Sequence, residues 1–170
     1  MTTALINNNC KINSLGLNAN GITDKGVEHL TTALINTNCK LNSIGLEGND
    51  ITDKGVKHLT TALINTNCKL NILRLTFFGG ITGKGVKHLT TALTHTNCKL
   101  TILSIAAGDY YGSSAIKQIT DKAVKHLATA LTNNNCKLKS LSLPEGAVSE
   151  KSKILINNAA KDKNCAVFYR

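Results

Sequence analysis

Apolar residues recur along this chain with two alternating periods. Within residues 38–66, Leu41, Ile44 and Leu46 have the spacing of a short strand that turns its apolar side chains to one side. The next apolar residues recur at helical spacing and predict an amphipathic helix. These helix positions are Val56, Leu59, Ala62 and Leu63. The pattern predicts a unit of strand, turn and helix.

The same unit repeats through the chain with a nearly constant period. Cysteines occur at positions 10, 39, 68, 98, 136 and 165, so successive copies are 29, 29, 30, 38 and 29 residues apart. A unit of this size cannot bury its strand and its helix alone, and it must stack on its neighbours to close a core. The period therefore predicts one stacked domain.

A motif accompanies each predicted strand. It reads Cys10-Lys11-Ile12, Leu15-Gly16-Leu17 and Asn20 in the first copy, and Cys39-Lys40-Leu41, Ile44-Gly45-Leu46 and Asn49 in the second. This motif resembles the ribonuclease-inhibitor-like class of leucine-rich repeats, which includes repeat regions of nucleotide-binding immune receptors and of Ran GTPase-activating protein. The resemblance implies an α/β solenoid of about five 29-residue repeats, a partial horseshoe with a concave parallel β-sheet and convex α-helices. Such folds usually hold another macromolecule.

The predicted domain organisation covers residues 1–170 as a single leucine-rich repeat domain. Residues 1–9 match the end of a repeat helix, so the first repeat is expected to be incomplete. Residues 10–135 hold repeats 1 to 4, with an insertion at 106–118, and residues 136–170 form a degenerate C-terminal capping repeat. An open N-terminal end would permit self-association.

All six cysteines occupy the same phase of the repeat, just before the strand. Side chains stacked in this way on parallel strands seldom satisfy disulfide geometry, although neighbouring strands are only about 4.8 Å apart. We therefore expect free, buried thiols. This interpretation favours a reducing compartment, which is a cytoplasm of the cell itself or of a host.

The formal net charge of +10 raises the alternative of nucleic acid or an anionic membrane as partner. However, the lysines also recur once per repeat, which is typical of a solvated surface that duplication has multiplied. They are Lys11, Lys40, Lys69, Lys99 and Lys137 after the cysteines, and Lys25, Lys54, Lys84 and Lys122 at the predicted helix starts. Aromatic residues do not alternate with them, as a platform for stacking single strands requires.

The polar residues of the repeat have structural explanations. Thr23 and Thr52 are placed to cap helices, and Asp24 and Asp53 put negative charge at a helix start. Asn20 and Asn49 are expected to be buried amides that satisfy backbone groups at the turn after the strand.

No catalytic or ligand-binding constellation is evident. His29, His58, His88 and His126 recur once per predicted helix. Packed helices lie about 8 to 10 Å apart, which is too far for chelation by one histidine from each. We expect no cofactor, no metal, no small-molecule substrate and no enzymatic activity.

Repeats 3 and 4 break the pattern. Aromatic residues occupy the segments that follow their strands: Phe77 and Phe78 in repeat 3, and Tyr110 and Tyr111 in the insertion of repeat 4. Aromatic side chains on loops of a rigid scaffold are typical of an interaction site. For the phenylalanines the alternative is that they fill the core.

The strand residues that alternate with the buried ones define the predicted concave face. In repeats 3 and 4 these are Ile72, Arg74, Ile102 and Ser104, and Glu47 lies beside them in repeat 2. Arginine is favoured at interfaces and is otherwise absent before the C-terminus of this chain. We expect a partner site on repeats 3 and 4, the alternative being a scaffold face with no ligand.

These observations favour a non-enzymatic protein-protein interaction module. Similar repeats occur in secreted effectors of intracellular bacteria, so action in a host cell is one interpretation. An alternative is electrostatic binding of nucleic acid or anionic membrane through the lysines. Another is regulation of a GTPase or other enzyme, an idea that rests on the resemblance alone because no catalytic residue of that family aligns here.

Overall fold

The computed structural model describes residues 1–77, 80–107 and 120–170 and shows strands and helices in strict alternation. The helices are α1 (Thr2–Leu5), α2 (Asp24–Leu34), α3 (Asp53–Leu63), α4 (Gly83–Leu93), α5 (Asp121–Thr132) and α6 (Glu150–Lys161). The strands are β1 (Ser14–Gly16), β2 (Ser43–Gly45), β3 (Ile72–Phe77), β4 (Ile102–Ala107), β5 (Ser140–Leu143) and β6 (Ala166–Tyr169). A 3₁₀ turn, Glu145–Ala147, precedes α6.

The six strands form one parallel sheet in sequence order. Equivalent repeat positions lie side by side, as in the register Ser43↔Ile72 and Ile72↔Ile102. Consecutive helices likewise contact each other along the stack. The fold is therefore α/β with repetition of one strand–helix unit, and it is compatible with a solenoid.

One face of the sheet packs against the helices. Leu73 and Leu75 of β3 are fully buried in the same cluster as Val56 and Leu59 of α3. The apolar stripe predicted for this helix is thus confirmed as core. The opposite face, which we call the open face, carries the residues that alternate with these along the strands. Ile72 is half-buried and Arg74 is exposed.

Strand lengths differ from the expectation in both directions. Leu41 and Leu46 flank β2 and are buried, whereas the strand itself is only Ser43–Gly45. In contrast, β3 and β4 continue through Phe77 and Ala107, because their ladder extends over Thr76↔Ala106 and Phe77↔Ala107. The first two residues of the predicted insertion at 106–118 therefore belong to a strand.

Buried asparagine supports the turn after β2. Asn49 is 3% exposed, and its Oδ1 accepts from the backbone N–H groups of Asn20 (3.0 Å) and Ile22 (2.9 Å). Its Nδ2 donates to the carbonyls of Leu17 (2.8 Å) and Leu46 (2.9 Å). The predicted role of Asn49 is confirmed. The same prediction for Asn20 is wrong, because Asn20 is exposed and no earlier repeat packs over it among the described residues.

The aspartates at the helix starts bind the next helix in the stack. Asp24 Oδ1 accepts from the N–H groups of Thr52 and Gly55 at 2.8 Å, and its Oδ2 accepts from the Thr52 hydroxyl at 2.6 Å. Asp53 makes the same three contacts with the start of α4. The predicted cap is present in Thr52, which accepts from Lys54 N–H, but Thr23 makes no side-chain cap.

Candidate partner-binding surface

The open face of β3 and β4 brings four of the predicted site residues together. Ile72 pairs in register with Ile102, and Arg74 pairs with Ser104. Ile102 and Ser104 are half-buried, and the residues between them point into the core. The four side chains form a continuous surface, the β3–β4 patch, with an apolar pair next to a cation.

Small residues surround Arg74. Its register partners are Gly45 on β2 and Ser104 on β4. A Cβ on Gly45 would lie 2.7 Å from Asn18 Oδ1, so a side chain there would displace the Asn18 amide. The described residues contain one ion pair, Lys153–Glu150, so Arg74 has no carboxylate partner among them. Its guanidinium is exposed to solvent.

Glu47 lies at the rim of the patch. It is half-buried in the turn after β2, where its N–H donates to Asn18 Oδ1 at 3.1 Å. The following residue, Gly48, donates its N–H to Thr76 Oγ1 at 3.1 Å, which holds this turn against the end of β3. The structure therefore places Glu47 beside the patch.

Of the four predicted aromatic residues, the structure describes only the backbone of Phe77. The backbone of Phe77 belongs to β3 and pairs with Ala107. Phe78, Tyr110 and Tyr111 lie outside the described residues. The surface that the structure describes thus consists of the β3–β4 patch with Glu47 at its edge.

The flanking strands contribute small side chains to the open face. Ser43 and Ser140 adjoin the isoleucine pair, and Gly45 and Ser142 continue the row of Arg74. Small side chains leave the isoleucines and the arginine accessible from both sides. This makes the β3–β4 patch chemically distinct from the neighbouring strands β2 and β5.

No family model matches this chain, and no curated protein matches it.

The lysines that follow the cysteines are exposed, as expected for a solvated surface, and they also bond backbone carbonyls of the neighbouring repeat. The Nζ of Lys69 donates to the carbonyls of Thr37 (3.1 Å) and Cys39 (3.0 Å) of the preceding repeat. Lys99 repeats this arrangement with Thr66 and Cys68 at 2.9 Å each. These ammonium groups bond backbone carbonyls between repeats while their side chains stay exposed. These hydrogen bonds could not be predicted from the sequence, because the bonded residues lie about one repeat apart.

A second basic feature lies between the starts of α4 and α5. A cavity of about 450 Å³ is lined by Lys84, Lys87 and Lys122, together with His126. Gly83 occupies the place of the aspartate that joins earlier helices, and it also lines the cavity. The cavity thus lies where earlier helices carry an aspartate, and three lysine side chains border it.

The cysteines are free and mostly buried. Cys39, Cys68, Cys98 and Cys165 are buried as expected, whereas Cys10 and Cys136 are half-buried. Burial raises the pKa of the Cys68, Cys98 and Cys136 thiols, and it raises the pKa of Cys165 to about 11. These groups are therefore protonated at neutral pH and are poor nucleophiles.

Within residues 1–77, 80–107 and 120–170, no three His, Cys, Asp or Glu side chains come close enough to hold a metal ion. Likewise, none of the helices in these ranges has the length and hydropathy needed to cross a membrane.

Sequence reasoning overlooked the contacts between repeats. The bonds from Asp24 to Thr52 and from Lys69 to Thr37 join residues 28 and 32 positions apart. The available signal was the repetition of Asp, Gly and Lys at fixed phases, but repetition alone does not say which copies touch. The stacking of the units determines which copies of the repeat contact each other.

Proposed function

We propose that this chain is a leucine-rich repeat protein of the ribonuclease-inhibitor-like class that binds a protein partner through the β3–β4 patch. Parallel strands that each precede a helix, at a spacing near 29 residues, support this assignment. On this proposal the open face is the concave face of the solenoid. The protein acts by binding and catalyses no reaction.

The observation that carries the proposal is the composition of the β3–β4 patch. A half-buried isoleucine pair adjoins an exposed arginine on a sheet, while small residues flank them on both sides. Interfaces favour apolar and arginine side chains at their centres. A parallel sheet backed by a packed core holds these groups in fixed positions, which reduces the entropy cost of binding.

The free, mostly buried thiols support a place for the protein in a reducing compartment. This part of the proposal extends to the cytosol of a host if the protein is a secreted effector. Regulation of a partner enzyme such as a GTPase is compatible with the binding function, because a bound scaffold can alter the activity of its partner.

The test is a pull-down from cytosolic lysate at moderate salt with three versions of the full chain. The first is wild type, and the second is Ile72→Ser/Arg74→Ala/Ile102→Ser, which alters the patch. The third, Lys57→Ala/Lys87→Ala/Lys125→Ala, removes exposed charges from the helix side and serves as control. Thermal unfolding by circular dichroism establishes that all three are folded.

We expect a discrete protein that wild type and the helix-side variant both recover and that the patch variant loses. Equal recovery of that protein by wild type and the patch variant would contradict the proposal.

A second candidate function is electrostatic binding, and the lysine-lined cavity between α4 and α5 favours it. In this case the recovered material is nucleic acid or anionic lipid, it is released as salt increases, and the helix-side variant loses it. The same three-way comparison therefore separates the two functions.

A further inference from the structure

The β3–β4 patch combines an apolar group and a charge at a defined separation. Ile72 and Arg74 lie two residues apart on β3, which corresponds to about 6.6 Å along the strand. Ile102 stands beside Ile72 on the neighbouring strand, about 4.8 Å away. An extended peptide presents alternate side chains on one face with nearly the same two-residue spacing.

The positive charge of Arg74 has no counter-ion in the described part of the protein. Arg74 is exposed, its neighbours in register are Gly45 and Ser104, and no carboxylate among the described residues pairs with it. A planar guanidinium matches a carboxylate in a bidentate geometry. The formal net charge of +10 also disfavours a cationic partner.

From this geometry we infer that the partner presents an acidic extended segment, with one Asp or Glu carboxylate bound to Arg74. An apolar side chain of the same segment, two residues away, packs on Ile72 and Ile102. This inference rests on the proposed function and adds the chemistry of the partner.

The experiment selects peptides from a random phage-displayed library on the immobilised full chain. Wild type is expected to enrich peptides with Asp or Glu two positions from an apolar residue. On an Arg74→Glu chain, Lys or Arg is expected to replace the acidic residue while the apolar residue stays. Lys139→Glu is the matched control, because Lys139 is exposed just before β5 and the charge change is the same size.

A quantitative test follows with one synthetic peptide from the wild-type selection and its counterpart in which the acidic residue is replaced by the amide. On wild type the amide peptide is expected to bind at least about tenfold more weakly, as for the loss of one charge-assisted contact. On an Arg74→Gln chain the two peptides are expected to bind alike.

The outcomes distinguish the inference from the function on which it rests. An acidic preference that persists on the Arg74→Glu chain overturns the inference, since other cations must then bind the carboxylate. If an Ile72→Asn chain loses the peptides but no acidic residue is enriched, the proposed function stands and the inference fails. Peptides that bind regardless of Arg74 and Ile72, or a library without binders, contradict both.

Discussion

Asn49 shows how a single side chain can join two repeats. Its amide bonds four backbone groups, one in its own repeat and three in the preceding one, at distances of 2.8 to 3.0 Å. Asn20 holds the equivalent place in the first repeat but is exposed, and its Nδ2 donates only to the Asn18 carbonyl. Two asparagines at the same position of the repeat therefore contribute differently to the stability of the fold.

Replacement of these two asparagines by alanine gives a matched pair. Asn49→Ala leaves buried N–H and C=O groups without partners, and we expect a loss of about 3 kcal/mol in the free energy of unfolding. Asn20→Ala, on the surface, should cost less than about 0.5 kcal/mol. Urea denaturation of both variants measures the difference. Equal losses would show that burial of the Asn49 amide does not matter.

Asp24 makes stability depend on pH. Burial, its largest single influence, acts to raise the pKa, but the hydrogen bonds from Thr52 and Gly55 and the charge of Lys54 outweigh it and lower the pKa of Asp24. A folded-state pKa below the unfolded value of about 3.9 stabilises the fold above that pH, and the contribution is lost as pH falls through the folded pKa.

An Asp24→Asn variant is therefore expected to be less stable than wild type at neutral pH, by about 1 kcal/mol. Its stability should also fall less steeply than that of wild type below about pH 4, because it has no carboxylate to protonate there. Urea denaturation across the acid range measures both effects. Glu28→Gln on the exposed side of the same helix is the control and should follow wild type.

The junctions between helices depend on complementary pairs of residues. A Cβ on Gly55 would lie 2.5 Å from Asp24 Oδ1, and a Cβ on Gly85 would lie 2.5 Å from Asp53 Oδ1. Glycine thus leaves room for the aspartate at these two junctions, whereas at the α5–α6 junction Ser152 takes the glycine position and its hydroxyl donates to Asp121 Oδ1 at 2.7 Å. Between α4 and α5 both partners change together, since Gly83 replaces the aspartate and Ala123 replaces the glycine.

A double-mutant cycle at this junction tests the complementarity. Gly83→Asp alone places a carboxylate against the Cβ of Ala123, and Ala123→Gly alone costs up to about 1 kcal/mol of helix propensity. The double variant restores the arrangement found at Gly55, so we expect a favourable coupling of about 1 kcal/mol from urea denaturation.

The cycle with Gly83→Asn in place of Gly83→Asp is its control, because an uncharged amide forms weaker bonds with the helix start. A coupling of zero, or one as large with asparagine as with aspartate, would contradict a role for the carboxylate.

At the level of the molecule, the stack is least complete at its ends. The large hydrophobic residues that are exposed in the described ranges all belong to the first or last units: Met1, Ile12, Ile154, Leu155 and Phe168. Leu15 and Leu17 around β1 are only half-buried, whereas Ile44 and Leu46 around β2 are almost completely buried. Local stability in a stacked fold follows such differences, because each unit relies on its neighbours.

Hydrogen exchange should therefore be faster at the N-terminal unit. We expect peptides that cover β1 to exchange at least about tenfold faster than those that cover β2, since the free energy of local opening is lower at β1. Mass spectrometry of pepsin fragments measures this ratio. Uniform protection of both strands would mean that the sheet opens only as a whole.

The period of the sequence determined the alternation of strand and helix, the buried stripe of α3 and the phase of Ile72, Arg74, Ile102 and Ser104. Local spacing suffices for these features because burial of one strand face and one helix face follows from the order of apolar residues. Only the tertiary structure decided the lengths of β3 and β4, the reach of Asp24 and Lys69 to other repeats and the small neighbours of Arg74. Such features join residues about one repeat apart, and their contacts exist only once the units have stacked in a particular register.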